Sequence, residues 1–433
     1  MNWIARDLAH NWHPYTQMKD HEAFPPVMIT RAKGCRLYDA NGQWYYDTLS
    51  SWWCNLHGHN HPAVMKALRD QTRHLDHVLF AGFTHEPAIL LSEALVRLMP
   101  PGIRRVFYSD NGSTAVEVAL KLSLQYWVNR GQPEKKQFLS LGGSYHGDTI
   151  GTMSISQSAQ FHRHFSPLFF PSLTIPSPAD AEAVSLAALR HALETSDSTI
   201  AAMIVEPLVQ AAGGMRFYST HYLKAAYDLA HHHGVHFIVD EVATGFYRTG
   251  HRFAFESAGI PPDFICLSKS LTNGTLPLGA TLTTQTVYDA FYGDYAQNKT
   301  FFHGHTFCAN PLACAAALAS IRLLENPDTP QRVRALSDAL GLAWVALSDL
   351  PWVHNLRQLG LIAALDVKTA NGQSFPSAQR IGYQLFKNGL PHQLILRPLG
   401  DTMYVFLPLC ITPPQIRAIV TKIRHVLRKT LSR

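Results

Sequence analysis

The run VHFIVDEVATGFYRTG (235–250), followed after a short gap by PPDFICLSKSL (261–271), decides how this chain is read. Each segment is a short apolar run that ends abruptly in polar residues. Ile238-Val239 gives way to Asp240-Glu241, and Phe264-Ile265-Cys266-Leu267 gives way to Ser268-Lys269. Continuous apolar runs of this length, bounded by Gly and Pro, suit strands of a parallel sheet buried on both faces. Ligands of such sheets gather beyond the carboxyl ends of the strands. Asp240 and Lys269 are therefore expected to reach one crevice from neighbouring strand ends. A lysine amine that can condense with an aldehyde, and a carboxylate that can keep a pyridine nitrogen protonated, are the two groups pyridoxal phosphate chemistry demands. The structural alternative is a strand-end Asp and a solvent-facing Lys that never meet.

The same grammar recurs on either side. TIAAMIVEPLVQ (199–210) is another apolar strand ending at Glu206. QFLSLGGSYHGDTIGTMS (137–154) predicts a strand over 138–141, then a Gly-Gly turn that presents Tyr145, His146 and Asp148. An aromatic ring there could stack on a planar ligand, or it could simply pack. VFYSDNGSTAVEVALKLSLQYW (106–127) reads as strand, turn, then a helix from about Ala115. Small polar residues at a helix start leave N–H groups free for an anion, although an ordinary N-cap reads the same way. Neither GxGxxG nor a P-loop is present. Polar strand ends near 109, 142, 206, 240 and 268, separated by helical segments, point to one site assembled on one sheet.

Toward the amino end, CRLYDANGQWYYD (35–47) alternates about an Asn-Gly turn and predicts a hairpin. SSWWCNLHGHNHP (50–62) is dense in aromatic residues, of which Trp52 and Trp53 could wall a pocket. His57, His59 and His61 would share one face of a strand, but no carboxylate or cysteine completes a zinc set, so they are read as structural. Toward the carboxyl end, Gly304-His305-Thr306 precedes an Ala-rich helix and offers a second anion contact. From about residue 328 a smaller α/β unit begins. It comprises a helix over 331–347, strands in LGLIAALDV (359–367), LILRPLG (394–400) and MYVFLPL (403–409), and an amphipathic helix over 414–431. Arg397, set in an apolar strand before Pro398, either caps an edge or clamps a carboxylate.

The 433 residues are 46% apolar with a formal charge of +6, enough chain for a large domain and a smaller one. The basic residues are scattered, which argues against nucleic acid and suits small anionic substrates. The six cysteines show no paired spacing and read as buried, reduced thiols. The charged start MNWIARDLAH lacks the apolar run of a signal peptide, and no stretch is apolar enough to span a membrane; a cytoplasmic location is expected.

Read together, DNGSTAVEVALK, YHGDTIG, IVEPLVQAAGG, VDEVATGFYRTG, FICLSKSL and HGHTFCANPLACAAA resemble the class III aminotransferases, and the resemblance runs over essentially the whole chain. It implies an α/β architecture of the pyridoxal phosphate fold type I. That fold has a large, mainly parallel-sheet domain over 60–327 and a small domain built from both chain ends, 1–59 (which also forms an active-site lid) and 328–433. It implies pyridoxal 5'-phosphate as cofactor, a homodimer with shared active sites, and no metal. By the same resemblance Lys269, Asp240 and Tyr145 would be catalytic. Gly112, Ser113, His305 and Thr306 would complete the cofactor site, with Thr306 reaching the phosphate from the neighbouring subunit. Tyr15, Trp52, Tyr145, Lys269, Gly304 and Arg397 would meet substrate. WHPYTQM (12–18) and SSWWCNLHGHNHP are similar to the members that aminate 8-amino-7-oxononanoate with S-adenosylmethionine in biotin synthesis. Two departures, His305 where that motif has proline and Tyr247 where glycine is common, leave lysine open as the donor. A transaminase of 4-aminobutyrate or a similar ω-amine, a pyridoxal phosphate aminomutase and a histidine-rich metal-binding protein are the other readings.

Overall fold

The computed structural model describes residues 2–156, 159–196 and 198–432. Strands are β1 (Ile29–Lys33), β2 (Arg36–Asp39), β3 (Trp44–Asp47), β4 (Ile103–Ser109), β5 (Gln137–Leu141), β6 (Leu173–Ile175), β7 (Ile200–Val205), β8 (Val209–Gln210) and β9 (Arg216–Phe217). They continue as β10 (His236–Asp240), β11 (Phe264–Leu267), β12 (Gly279–Thr284), β13 (Val353–Leu359), β14 (Ile362–Val367), β15 (Leu394–Ile395) and β16 (Thr402–Phe406).

Seven strands form the central sheet in the order β4-β12-β11-β10-β7-β5-β6. Only β12 runs against the others; it lies antiparallel between β11 and β4. Hence β4, β5, β7, β10 and β11 all point their carboxyl ends the same way. Every residue of β7, β10 and β11 is buried, which is why these segments carry apolar residues without alternation. The helix Gly112–Asn129 covers one face with Ala115, Val116, Val118 and Ala119. Tyr222, Leu223 and Ala226 of the helix Thr220–His232 belong to the core on the other.

The chain ends meet in a second sheet. β1, β2 and β3 are an antiparallel meander, and β15, some 350 residues on by the numbering, adds to β3 in parallel, with Leu394 opposite Tyr46. A third, antiparallel sheet, β13-β14-β16, is covered by the helix Thr329–Val345, against which the helix Pro413–Leu431 packs in turn. The last helix buries Ile416, Ile419, Ile423, Val426 and Leu427 along one stripe, the face its spacing predicted.

Some sequence expectations are revised. LILRPLG is not a strand along its length. Only Leu394–Ile395 is strand, in a different sheet, because Pro398 lacks the N–H a ladder needs. β13 was not anticipated from the sequence. His57, His59 and His61 lie in no strand. His57 Nε2 meets the Ser320 carbonyl at 3.0 Å, His59 Nε2 donates to Asp47 Oδ2 at 2.8 Å, and His61 is the residue before a helix. Of the cysteines, Cys35, Cys266 and Cys314 are buried, while Cys54, Cys308 and Cys410 are half-buried; all are free thiols.

Candidate active site

β10 and β11 are parallel neighbours with Asp240 opposite Cys266. The chain therefore leaves β10 at Asp240 and β11 at Ser268-Lys269 on the same side of the sheet, and both side chains line one cavity of about 600 Å³. Asp240 is fixed from two directions. Its Oδ2 accepts from His146 Nδ1 at 2.8 Å and its Oδ1 accepts the Val242 N–H at 3.1 Å. Lys269 lies 5.2 Å from the centre of the Trp53 ring. Burial pulls its pKa down, with Asp240 opposing, and this favours the neutral, nucleophilic amine. Its φ of 21° lies at the edge of the left-handed region, a strained conformation of the kind that collects at functional sites.

The other strand ends complete the cavity. Beyond β4, Asn111 caps the helix Gly112–Asn129, accepting the Thr114 N–H while Thr114 Oγ1 accepts the Asn111 N–H. The helix starts at Gly112, three residues before the expected Ala115. The first-turn N–H groups of Gly112 and Ser113 have no helical acceptor and lie at the cavity wall. A Cβ on Gly112 would stand 2.6 Å from Val242 Cγ1, so the helix start packs this closely against Val242 only as glycine. Beyond β5, the Tyr145 N–H donates to Glu206 Oε1 and the Ala211 N–H to Glu206 Oε2, both at 2.9 Å. Burial pushes Glu206 up to about 7, opposed chiefly by His146.

A second group gathers at the mouth. Tyr15 Oη donates to Asp148 Oδ1 at 2.6 Å, and Tyr145 Oη to Asp148 Oδ2 at 2.8 Å. Burial, and then the bond to Asp148, raise the Tyr15 hydroxyl to about 12. The Arg397 guanidinium lies 4.6 Å from the Trp52 ring centre and donates to the Tyr15 carbonyl at 3.1 Å. Tyr15 meets Trp52 edge-on at 5.9 Å. Tyr15 and Arg397 also line a neighbouring cavity of about 420 Å³. Of the two tryptophans, Trp53 lines the main cavity and Trp52 is 41% exposed beside it.

The structure thus brings together Gly112, Ser113, Tyr145, Asp240 and Lys269 on one cavity, whereas Tyr15, Trp52 and Arg397 do not line it and form a cluster tied to it through Asp148. Gly304 and Thr306 are exposed and line neither cavity; His305 Nδ1 donates to Asp110 Oδ2 at 2.7 Å, and Asp110 is at the cavity wall. Two residues to which the sequence assigns no role are His146, which orients Asp240, and Arg248. The Arg248 guanidinium is fully buried and donates to the carbonyls of Leu407, Trp53 and Asn55. No local signal in the sequence marks either partner.

This donor set fits pyridoxal phosphate: a desolvated amine, a clamped carboxylate, helix N–H groups for a dianion and a tyrosine ring at the wall. His146 Nε2 and Asp110 Oδ1, at cavity-lining residues, are buried without a partner among the described residues.

Residues 16–427 match the family model described as aminotransferase class-III. The adenosylmethionine-8-amino-7-oxononanoate aminotransferase of Geobacter sulfurreducens is 41% identical over 432 residues, covering 96% of this chain and 94% of its own. The protein of the same name from Synechococcus elongatus is 43% identical over 427 residues, with 96% and 98% covered. Among solved structures, the adenosylmethionine-8-amino-7-oxononanoate aminotransferase of Methanocaldococcus jannaschii superposes with a TM-score of 0.94 at 32% identity, covering 98% of each chain. An omega transaminase of Pseudomonas jessenii in complex with PMP gives 0.93 at 26% identity, covering 99% of this chain and 98% of its own.

Proposed function

This chain belongs to the aminotransferase class-III family, and on that premise we propose that it transfers an amino group from S-adenosylmethionine to the oxo carbon of 8-amino-7-oxononanoate, giving 7,8-diaminononanoate for biotin synthesis. The observation that carries the reading is the pairing of Lys269 and Asp240 at adjacent strand ends beneath an entrance of aromatic rings and one arginine. Full-length relatives from several bacteria bearing the corresponding enzyme name support the substrate.

Pyridoxal phosphate, the family's cofactor, supplies a reversible amine carrier and an electron sink. In this reading the residues act around it. Lys269 Nζ, its pKa lowered by burial, is the base that takes a proton from the substrate carbon and returns it elsewhere. Asp240, held by His146, would pair with the ring nitrogen. The N–H groups of Gly112 and Ser113, with the Ser113 hydroxyl, would hold the phosphate at a helix N-terminus. Tyr145 offers its ring to the cofactor and its hydroxyl, with Asp148, to the substrate side. An oxo acid with an apolar chain ending in a carboxylate suits an aromatic wall ending in Arg397, and the sulfonium donor suits the Tyr15 and Trp52 faces.

We also read the protein as a homodimer. Phe302 and Phe307, 79% and 59% exposed, flank the Gly304–Thr306 segment, and Leu79 and Phe83 are exposed as well. Such apolar exposure fits a subunit contact that would carry Thr306 to the partner's phosphate. Light scattering tests this. For the donor, cofactor-loaded enzyme is mixed separately with S-adenosylmethionine, lysine and 4-aminobutyrate while the visible band is followed. Bleaching by S-adenosylmethionine alone, with ping-pong kinetics toward 8-amino-7-oxononanoate, is expected. Bleaching by 4-aminobutyrate without turnover of the oxo acid overturns the substrate.

A further inference from the structure

Behind the Asp148 carboxylate lies a histidine that the reading above does not use. His162 is 3% exposed. Its Nε2 donates to Asp148 Oδ1 at 3.1 Å, and its ring stacks on Tyr145 with centroids 5.7 Å apart and planes 28° from parallel. The rings of Phe161 and Phe169 stand edge-on to it, each with centroids 6.5 Å away. The same two oxygens of Asp148 receive Tyr15 Oη and Tyr145 Oη. One imidazole therefore touches both the ring of Tyr145 and the acid to which both tyrosine hydroxyls are tied.

We propose that His162 is a positioning residue: it clamps Asp148 from behind, so that the carboxylate holds Tyr15 across the entrance, and it backs the Tyr145 ring against the cofactor side. The inference rests on the substrate reading above only for its choice of ligand. A carboxylate with two hydroxyl donors on one side and nothing on the other could turn with them. The bond from a buried imidazole flanked by Phe161 and Phe169 supplies a fixed third direction, and a bond to an ionised carboxylate is stronger than one between neutral groups. Tyr15 comes from the amino-terminal segment and its hydroxyl also lies 3.3 Å from Tyr145 Oη, so the clamp steadies a junction between that segment and the sheet end carrying Tyr145.

Two variants separate the ring from the bond. His162→Phe keeps an aromatic face against Tyr145 and removes the donor; His162→Gln keeps a donor and removes the face. In His162→Phe, the dissociation constant of 8-amino-7-oxononanoate, measured on cofactor-loaded enzyme without donor, is expected to rise about ten-fold or more. Its KM should rise alike while kcat changes little, and His162→Gln should recover most of the binding. In the Tyr15→Phe background, His162→Phe should add almost nothing. Unchanged binding in His162→Phe, independent losses in the double variant, or no rescue by Gln overturns the clamp. If the unsubstituted enzyme does not bind the oxo acid, the substrate reading fails. The clamp is then judged by the visible circular dichroism of bound cofactor, which His162→Gln should alter through Tyr145; an unaltered spectrum overturns it.

Discussion

At Lys269 the protein combines a desolvated amine with an opposing carboxylate, and the amine's lowered pKa follows from burial winning over Asp240. Lys269→Ala is expected to reduce transamination by about 10²–10⁴-fold or more, the range lost with a positioned proton-transfer group. A single-turnover assay with S-adenosylmethionine checks it, and turnover close to the original would remove the residue from the mechanism. His146 is the less obvious target. Its removal in His146→Leu leaves the Asp240 Oδ2 oxygen without its charge-assisted donor. A cost of about 1.5–3 kcal/mol, or roughly ten- to hundred-fold in cofactor affinity, is expected, measured by titrating the cofactor-free protein with pyridoxal phosphate. The two residues differ in how far the sequence foretells them. Asp240 and Lys269 each terminate an apolar run, so their place at a strand end is written locally. His146 reaches Asp240 from a turn 94 positions earlier, and nothing in YHGD says which acid it will meet. The choice between Trp52 and Trp53 was equally hidden, because it depends on backbone conformation rather than on pattern.

That conformation belongs to the short element Ser50–Trp53. All four residues have positive φ, at 49°, 45°, 72° and 71°, a conformation that costs L-residues roughly 1–2 kcal/mol each. None is glycine, so composition gives no hint of it. The compensation is visible in the bonds. Asp47 Oδ1 accepts the Ser51 N–H at 2.9 Å, and Asp47 Oδ2 accepts the Ser51 hydroxyl at 2.7 Å and His59 Nε2 at 2.8 Å. Ser50 Oγ donates to the Phe406 carbonyl at 2.7 Å, and Arg248 holds the Trp53 carbonyl. Although burial alone would raise the Asp47 carboxyl, His59 and Ser51 outweigh it and hold the pKa below the usual range. Asp47→Ala leaves His59 and the turn unanchored. It is expected to cost about 1–3 kcal/mol, as for leaving buried donors without their acceptor, and to raise the KM for the oxo acid because Trp52 and Trp53 lose their posts. Urea denaturation and steady-state assays give the two numbers; loss of stability with unchanged KM would confine Asp47 to the fold. Strands with uniform burial and the amphipathic last helix were legible for the opposite reason: period and apolarity are local, whereas this turn is set by partners at 47, 59, 248 and 406.

Across the whole molecule, the pairing of β15 with β3 closes the two chain ends into one sheet, a contact that no window of sequence could register. The central sheet, by contrast, announces itself strand by strand. Its dry interior has a consequence for pH. Burial pushes the carboxyl of Glu241 up to about 8, that of Glu206 to about 7 and that of Asp263 to about 6. Each keeps its proton in the folded state at pH values where the unfolded chain has released it. Over that window the unfolded state binds fewer protons, so stability is full below the ordinary carboxyl range and falls as pH rises toward 8. Asp47 and Asp366, whose pKa values are lowered, work the other way and lose their contribution only as pH falls below the same range. His57 and His236, which burial holds at about 3, stay neutral in the fold and cost stability as pH falls below the ordinary imidazole range, so stability should peak at roughly pH 6.5 and decline toward pH 8. Glu241 dominates this slope; it accepts the Thr244 hydroxyl at 2.6 Å and the Phe255 N–H at 2.9 Å, neither of them a cation. Glu241→Gln keeps an acceptor for Phe255 and cannot ionise. It is expected to be more stable than the unsubstituted protein at pH 8 by on the order of 3–5 kcal/mol, with the advantage vanishing near pH 4.5. Unfolding midpoints of both proteins at the two pH values decide it: parallel curves would mean that Glu241 does not carry the slope.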